Sequence, residues 1–469
     1  MDSVNNGRIT WAYENFKDSD LGDLRRTHRL IKLAASYAKN IGSSTVACCE
    51  GDESQVEAAY RFIRNEQAKP ESIREGGFSS TSRKASVEGT ILAIEDTTTL
   101  SYKHKAADEL GYTSNSPSAK SRGFNVHSVL LLSEKTGRSI GLIEQSWYCR
   151  DNADYGKSKY KRTRDYHDKE SYKWEYASRK MTERLDTKML DVISVCDREA
   201  DIYDYLYYKL NHNQRFIVRA RENRKTTSSE YKLFEQILLT PALGTYKVKI
   251  QQKGGRKERI ATIQYYGATI ELVLPKHQKK TGYPATLRLN VVAAKEIDAK
   301  DMESGLEWVI LTSEPIDTAE ATRQVIRNYE LRWRIEDYHK AWKSGVGVEE
   351  LRLQSKENLE RTGSIFAFVA VKLLQMREIA LSSPDELNQD TPVTALLTTD
   401  EWKVLWVATK KSKPPKEPPN VKWAYKSLGK LGGWYDSKRT GIVGWPALWK
   451  GWFRLMDKVE TYNDAKLYF

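Results

Sequence analysis

Three acidic residues, far apart in this 469-residue chain, lie where carboxylates can hold a divalent metal ion. Asp96 stands just beyond the apolar residues 91–94, and Asp197 follows the apolar residues 192–196. A carboxylate at the end of a buried strand faces the crevice beyond the sheet, where ligands bind in open α/β domains. Two such aspartates on neighbouring strands repel each other, which favours a divalent cation between them. Taken singly, each aspartate is more often a turn or helix-capping residue.

The third acidic residue, Glu336, lies in a segment that predicts a strong helix over residues 329–343. Residues spaced three, four, four and three apart form one potential face of this helix: Tyr329, Arg332, Glu336, Lys340 and Lys343. Such a face offers a carboxylate for a metal ion, with cations on both sides for phosphates. The same spacing also describes a row of i, i+4 salt bridges on a surface helix. The spacing therefore leaves both interpretations open.

The elements around the two aspartates alternate between strands and helices. Residues 127–144 predict two strands around a Lys-Thr-Gly turn, and residues 215–220 alternate like a further strand. A helix is expected over residues 202–210. Apolar central strands that feed helices indicate an α/β domain with a mixed sheet. The sequence thus predicts that Asp96 and Asp197 lie beside each other on such a sheet.

Between the second aspartate and Glu336 the chain changes to a β pattern. Residues 231–312 predict strands separated by basic or glycine-containing turns, over residues 245–250, 261–266, 269–274 and 287–293. This block indicates an all-β insertion in the α/β domain. The chain before residue 70 and the chain after residue 312 are predicted to be mostly helical, and the final part is rich in tryptophan. Aromatic residues in a small terminal helical unit often form a core or an interface.

The charge balance favours a polyanionic partner. Lysine and arginine number 76 against 63 acidic residues, which gives a formal net charge of +13 and a pI of about 9.2. A membrane is a poor candidate, because the longest apolar stretch, residues 365–376, contains Lys372 and is too short to span a bilayer. The first residues show no apolar signal segment, so a cytoplasmic location is expected. Seven scattered histidines and four cysteines without a C-x-x-C motif argue against a zinc site.

Basic residues of the first predicted helices are candidates for contact with such a partner. Arg25, Arg26 and Arg29 cluster on one flank of a helix, and Arg61 lies in a second helix predicted over residues 56–64. A solvated charged face is the alternative interpretation of this pattern. The net charge of the chain favours DNA binding.

The pattern Tyr-x-x-Arg-x-x-x-Glu-x-x-x-x-x-x-Lys, from Tyr329 to Lys343, resembles the signature helix of the insertion-sequence-four class of bacterial DDE transposases, in particular those of the transposon-five type. Cys-Asp-Arg-Glu-Ala-Asp-Ile at residues 196–202 resembles the segment that carries the second acid of this family, and Ile-Glu-Asp-Thr-Thr at residues 94–98 resembles the first. Further similar stretches occur in the same order at residues 60–65, 110–111, 120–123, 126–132 and 436–442. The resemblance covers essentially the whole chain.

The resemblance implies a ribonuclease-H-like catalytic core over residues 71–380, with an inserted β subdomain over residues 231–312. It also implies an N-terminal helical DNA-binding domain over residues 1–70 and a C-terminal helical dimerisation domain over residues 381–469. The implied partners are the terminal inverted repeats of a mobile element, target DNA and a second copy of the chain in a synaptic complex.

The implied chemistry is two-metal phosphoryl transfer. Two Mg²⁺ ions, or Mn²⁺ in their place, would lie about 3.5–4 Å apart, bridged by Asp96 and flanked by Asp197 and Glu336. The family cuts by nicking, hairpin formation, hairpin opening and strand transfer. A tight hairpin needs a base near the bend to leave the stack. Trp308 matches the tryptophan on which this base stacks in the family. The other residues expected at DNA are Arg219, Tyr329, Arg332, Lys340, Lys343, Arg352 and Lys438, besides Arg25, Arg26, Arg29 and Arg61.

Two other functions remain open. A catalytically inactive protein that binds DNA, dimerises and blocks transposition shares most of these features, although the presence of all three acids does not favour it. A ribonuclease-H-like nuclease without strand transfer is the second alternative.

Overall fold

A computed structural model gives the architecture of the protein, and it describes residues 11–104, 108–113, 122–151, 164–228, 230–250, 259–276, 282–299, 305–381, 392–395, 397–437 and 443–468. The strands are β1 (Ile91–Tyr102), β2 (Gly111–Tyr112), β3 (Arg122–Ser133), β4 (Ser139–Tyr148), β5 (Val192–Cys196), β6 (Arg215–Arg219), β7 (Gly244–Ile250), β8 (Arg259–Val273), β9 (Thr286–Glu296) and β10 (Glu307–Thr312). The α-helices named below are α1 (Leu24–Lys39), α2 (Thr45–Cys48), α3 (Glu53–Ile63), α4 (Pro70–Ala85), α5 (Lys173–Leu185), α6 (Tyr203–Asn211), α7 (Leu233–Leu238), α8 (Ala319–Glu330), α9 (Arg334–Lys340), α10 (Lys356–Leu381), α11 (Thr399–Lys410), α12 (Val421–Leu431) and α13 (Trp445–Tyr468).

The ten strands form one mixed sheet, which confirms the predicted α/β class. Their order is β2-β3-β1-β5-β6-β10-β9-β8-β7, and β4 also pairs with β3. Strands β1, β3 and β4 are antiparallel neighbours, whereas β1, β5 and β6 run parallel. Beyond β6 the sheet is antiparallel again, because β10 pairs with both β6 and β9. The two halves of the sheet therefore meet at the parallel strands in its middle.

Both faces of the central strands are buried, which explains their nearly continuous apolar sequences. On one face Leu92 and Ile94 of β1, with Ile193 and Val195 of β5, join the core that contains α10 and the terminal helices. The alternate residues of these strands face the opposite way, toward α5 and α6. Helix α9 packs against β1.

Four strands, β7 to β10, lie within residues 231–312 and extend the central sheet, as the β pattern predicted. The expectation of an all-β block was wrong at its start, where Leu233–Leu238 form helix α7. The expectation of separate strands over residues 261–266 and 269–274 was wrong, because β8 continues through Gly267 without a turn. A Cβ atom at Gly267 would lie 3.2 Å from the hydroxyl of Thr322 in α8. The glycine thus serves close packing of α8 on the strand rather than a chain reversal.

The helices predicted before residue 70 are confirmed and are docked on α10. The rings of Tyr37 in α1 and Phe366 in α10 meet edge to face, with centroids 4.9 Å apart. The buried guanidinium of Arg361 in α10 donates to the carbonyl oxygens of Ile63 and Ala68, and so satisfies backbone acceptors after α3. Because α10 also packs on β4, one helix joins the N-terminal helices to the sheet.

The expectation of one uninterrupted helix over residues 329–343 was wrong in detail. Helix α8 ends at Glu330, a 3₁₀ turn follows over Leu331–Trp333, α9 spans Arg334–Lys340, and Ala341–Gly345 forms a π turn. Each change of pitch rotates the following side chains about the axis, so the predicted five-residue face is not a straight row. Single π turns inside helices are frequent at functional sites.

The tryptophan-rich C-terminal part is helical, as predicted, and α11, α12 and α13 pack against one another. Trp402 and Trp452 are buried in this unit, and the rings of Trp406 and Trp423 lie 5.2 Å apart. These tryptophans therefore form core contacts between the helices.

Candidate active site

Asp96 and Asp197 lie side by side on the adjacent parallel strands β1 and β5. The register pairs Glu95 with Cys196, and each aspartate is the next residue of its chain. Side-chain alternation turns both carboxylates to the face of the sheet that packs on α9 and α10. Strand β5 ends before Asp197 as predicted, whereas β1 continues past Asp96 to Tyr102 along β3. The apolar part of β1, not the strand itself, ends at the aspartate.

Burial acts on both carboxyl groups, and the charge of Asp197 acts on Asp96. Burial, and then the negative charge of Asp197, raises the pKa of Asp96 to about 7. Burial also raises the pKa of Asp197, although its carboxylate accepts a 2.8 Å hydrogen bond from the backbone N–H of Glu199. A cation placed between the two carboxylates relieves both effects, so the pair is suited to a divalent ion.

Glu336 approaches this pair from α9. Its negative charge also raises the pKa of Asp96, which places Asp96 within electrostatic reach of both other acids. The carboxylate of Glu336 accepts a 2.8 Å hydrogen bond from the guanidinium of Arg332, four residues earlier. Arg332 is buried, and its positive charge acts on both Asp96 and Asp197. This arginine therefore offsets part of the acidic charge of the cluster.

The three carboxylates have the chemistry of a magnesium or manganese site, because both ions prefer hard oxygen ligands. Among the described residues, however, no three acidic, histidine or cysteine side chains are gathered closely enough to hold a metal ion as they stand. Glu336 is turned toward Arg332 instead of toward the aspartates. Because only Oε1 of Glu336 accepts from Arg332, a metal site of all three acids would need the carboxylate of Glu336 to move closer to the aspartates.

Three more of the predicted residues gather beside the acids. The rings of Trp308 and Tyr329 lie 5.4 Å apart at an interplanar angle of 70°, and Trp308 is only partly buried. Arg219 donates a 3.1 Å hydrogen bond to the carbonyl of Glu307 and also interacts with the Tyr329 hydroxyl. Arg332 lies within electrostatic reach of Arg219. The structure thus brings together an aromatic ring and two guanidinium groups next to the carboxylates.

The lysines predicted to contact DNA follow Glu336 along the chain. Lys340 is exposed at the end of α9, and Lys343 is partly buried in the π turn. Neither forms an ion pair within the part of the chain that the structure describes. Lys438, another predicted DNA contact, lies outside the described residues.

Arg352 is exposed. It lies near the end of β1 that contains Ser101, away from the carboxylates. It lines a cavity of about 620 Å³ together with Lys103, His104 and Glu349. The backbone N–H of Ser101, near the end of β1, donates a 2.8 Å hydrogen bond to Glu349. The cavity therefore has both positive and negative walls.

The four arginines predicted in the N-terminal helices lie on α1 and α3, which pack against each other. The side chain of Arg25 is 91% exposed, and Arg61 is also exposed. Arg29 joins the two helices through a 2.9 Å hydrogen bond to Gln55, whereas Arg26 is partly buried and donates to a backbone carbonyl. Arg25 and Arg61 are thus the most exposed of the four, although Arg25 pairs with Asp23 at 2.9 Å and Arg61 with Glu57 at 3.7 Å.

Two family models match the chain: Transposase DNA-binding over residues 8–68, and Transposase DDE domain over residues 176–370. The two matches support a DDE-family DNA transposase. The first match contains all four N-terminal arginines of the transposase. The second contains Asp197 and Glu336 but begins after Asp96, which the structure places beside them.

DDE transposase domains cleave or transfer DNA and generally use divalent metal ions. This agrees with the oxygen-donor set of the three acids. Across the described parts of the transposase, no helix combines the length and the apolar character needed to cross a membrane.

Sequence reasoning missed His339, which shares α9 with Glu336. Its side chain is 9% exposed, and its Nδ1 lies 4.0 Å from Oδ2 of Asp96. Its Nε2 is buried without a hydrogen-bond partner among the described residues. Burial lowers the pKa of His339 to about 3, so the imidazole is neutral at physiological pH. Its position three residues after Glu336, on the same side of a helix, was a signal in the sequence.

A second set of polar residues that the sequence did not reveal lies beneath the site, on the opposite face of the sheet. Nε2 of His127 lies 3.5 Å from Oε2 of Glu95, and both side chains are fully buried. Nδ1 of His127 lies 3.0 Å from the hydroxyl of Thr97. Lys209 of α6, also buried, donates a 2.8 Å hydrogen bond to the hydroxyl of Ser194 in β5. These contacts hold β1 and β5 where they carry the two aspartates.

Proposed function

We propose that this transposase excises a mobile element and joins it to target DNA at one active site formed by Asp96, Asp197 and Glu336. The observation that carries this proposal is the side-by-side register of the two aspartates under the helix that bears Glu336. The matches to transposase DNA-binding and DDE models support DNA as the substrate.

The ions expected at this site are two Mg²⁺, with Mn²⁺ able to replace them. We infer that Asp96, Asp197 and Glu336 would hold these ions through their carboxylate oxygens. When bound, such ions lower the pKa of an attacking water or 3′-hydroxyl and stabilise the leaving oxygen of an in-line displacement. The raised pKa values of both aspartates support this assignment, because each carboxylate is poised to gain from a cation.

Basic and hydroxyl groups beside the acids would hold the reacting phosphodiester. Arg332 would bind a phosphate, because a guanidinium can bind phosphate oxygens through two parallel hydrogen bonds. Arg219 and Tyr329 lie next to it and would contact the same phosphate. Lys340 would neutralise the DNA backbone further along α9, as would Lys343 in the π turn.

The partly exposed ring of Trp308 supports excision through a DNA hairpin. A base at the tight bend must leave the stack, and an aromatic side chain can receive it. Trp308 already packs edge to face on Tyr329, so its ring is held beside the phosphate-binding groups. Stacking at this position would favour the bent intermediate over the extended duplex.

The architecture supports the wider scheme implied by the family. The order β4-β3-β1-β5-β6, with three antiparallel strands followed by two parallel ones, supports a ribonuclease-H-like core that is extended by the inserted strands. We infer that the N-terminal helices bind the terminal inverted repeats. The C-terminal helices α11 to α13 would join two copies in a synaptic complex with two DNA ends.

A paired-end strand-transfer assay with Mg²⁺ tests this function. The full-length protein is incubated with duplexes that carry the element ends and with a plasmid target. The expected products are nicked ends, hairpins and joined molecules. Cleavage without joining would instead identify a nuclease, and bound but uncut DNA would identify an inactive inhibitor of transposition.

A further inference from the structure

We infer that His339 is a positioning residue, which donates a hydrogen bond from Nδ1 to Oδ2 of Asp96 and so orients that carboxylate toward the metal ions. This inference rests on the metal site of the proposed function. It adds a fourth side chain to the three acids, with a role that acts through Asp96 rather than on DNA.

The placement of the imidazole carries the inference. His339 and Glu336 are three residues apart in α9, so they lie on the same side of the helix, and α9 packs against β1. The side chain of His339 is 9% exposed and that of Asp96 is 21% exposed, so little water separates them. Nδ1 lies 4.0 Å from Oδ2, which is about 1 Å beyond a hydrogen bond.

The hydrogen bonds that His339 and Asp96 form and lack are consistent with a bond between them. Nε2 of His339 is buried without a partner among the described residues, whereas Nδ1 lies 4.0 Å from Oδ2 of Asp96. Oδ1 of Asp96 already accepts a 2.8 Å hydrogen bond from the backbone N–H of Thr97. A donor at Oδ2 would fix the carboxylate plane from its other side. Ligating carboxylates are commonly held by such partners, and loss of one typically weakens metal binding 10- to 100-fold.

The same helix can supply the small movement that is required. Glu336 must approach the two aspartates to share a metal ion with them, and His339 lies about one turn farther along α9. A shift of α9 toward β1 would therefore shorten both distances together. The hydrogen bond and the third metal ligand would form in one step.

Three substitutions separate a specific donor from general packing. The amide nitrogen of His339→Asn lies where Nδ1 lies in histidine, whereas that of His339→Gln lies near the position of Nε2. His339→Leu keeps the bulk and removes both nitrogens. Ser344→Ala, an exposed residue of the π turn, is the matched control, and Asp96→Asn marks the loss of the site.

The measurement is Mn²⁺ affinity of the full-length protein, by calorimetry and by the electron paramagnetic resonance signal of free Mn²⁺. Melting temperatures without metal report on folding. We expect His339→Asn to bind within about threefold of the wild type and His339→Gln and His339→Leu to bind 10- to 100-fold more weakly. If His339→Leu does not fold, the comparison of the asparagine and glutamine variants decides.

Wild-type affinity in the glutamine variant would overturn the inference, as would equal losses in the asparagine and glutamine variants. Both results leave the metal site intact, provided that Asp96→Asn abolishes binding. Identical Mn²⁺ binding by Asp96→Asn and the wild type would overturn the proposed metal site, and the role of His339 with it. The two failures are thus distinguishable.

Discussion

Asp96 and Asp197 are lateral neighbours on two parallel strands, one residue beyond the pair formed by Glu95 and Cys196. Residues 101 positions apart in the chain are thereby fixed on one face of the sheet. Burial raises the pKa of both carboxyl groups, and the charge of Asp197 adds to the effect on Asp96. The arrangement is electrostatically unfavourable for two free carboxylates and favourable for carboxylates that share a cation.

Removing one acid should therefore stop the chemistry without releasing the DNA. We expect Asp96→Asn, Asp197→Asn and Glu336→Gln to bind element ends with near-normal affinity and to lower the cleavage rate on the order of a hundredfold or more, because each loses a metal ligand. Chelation of the divalent ions should give the same result. Gel-shift and cleavage assays on the same end duplex measure both quantities. The matched control is Glu183→Gln, an exposed carboxylate of α5, and full cleavage by any of the three variants would refute its assigned role.

Trp308 should act in hairpin formation and not in the first nick. We expect Trp308→Ala to leave the first nick unchanged and to reduce hairpin yield roughly 5- to 150-fold, since base–aromatic stacking contributes about 1–3 kcal/mol. Trp308→Phe keeps a ring and should recover part of the yield. Denaturing gels that separate nicked, hairpin and open ends give the measurement. Equal hairpin yields in the wild type and the alanine variant would rule out stacking.

The exposed N-terminal arginines should determine how end binding responds to salt. Each phosphate contact releases counterions, so the affinity of the wild type should fall steeply with salt concentration. We expect Arg25→Ala and Arg61→Ala each to reduce the slope of log affinity against log salt by about 1. Fluorescence anisotropy at several salt concentrations measures this slope. Arg327→Ala, an exposed arginine of α8, serves as the control. Unchanged slopes in both arginine variants would remove these residues from the DNA interface.

Lys209 should make the stability of the folded protein depend on pH in the alkaline range. Burial lowers the pKa of Lys209 to about 8 from an ordinary 10.5. Between these pH values the folded state holds fewer protons on this group than the unfolded state, so its contribution to stability rises with pH. The shift corresponds to about 3 kcal/mol when fully expressed.

The difference in melting temperature between the wild type and Lys209→Met isolates this effect. We expect the melting temperature of the wild type to rise relative to that of Lys209→Met as pH increases from 7 to 10. Lys422→Met, an exposed lysine of α12, should show no such trend. A pH-independent difference for Lys209→Met would mean that the group does not titrate in this range.

The sequence was sufficient for the element types around the site, because each depends on local patterning. Asp96 and Asp197 could be recognised beside apolar runs, since strands buried on both faces are apolar at successive positions. The π turn before Val346 and the unbroken β8 could not be found in this way. Residues 341–345 show no local pattern that distinguishes a π turn from an α-helix, and the close approach of Thr322 to Gly267 involves residues that are distant in the chain.

What the sequence by itself determined was the basic charge of the chain and the alternating α/β order, because composition and periodicity are local properties. The three acids were candidates that the resemblance to a family motif singled out. Tertiary structure alone decided that Asp96 and Asp197 share one face, through the register of two strands that are distant in the chain. The contact between Arg332 and Glu336, in contrast, is an i, i+4 pair that the helical spacing already offered. Tertiary structure alone showed that the imidazole of His339 lies 4.0 Å from Asp96. Such distances depend on how α9 packs on β1, and no spacing within either element contains that information.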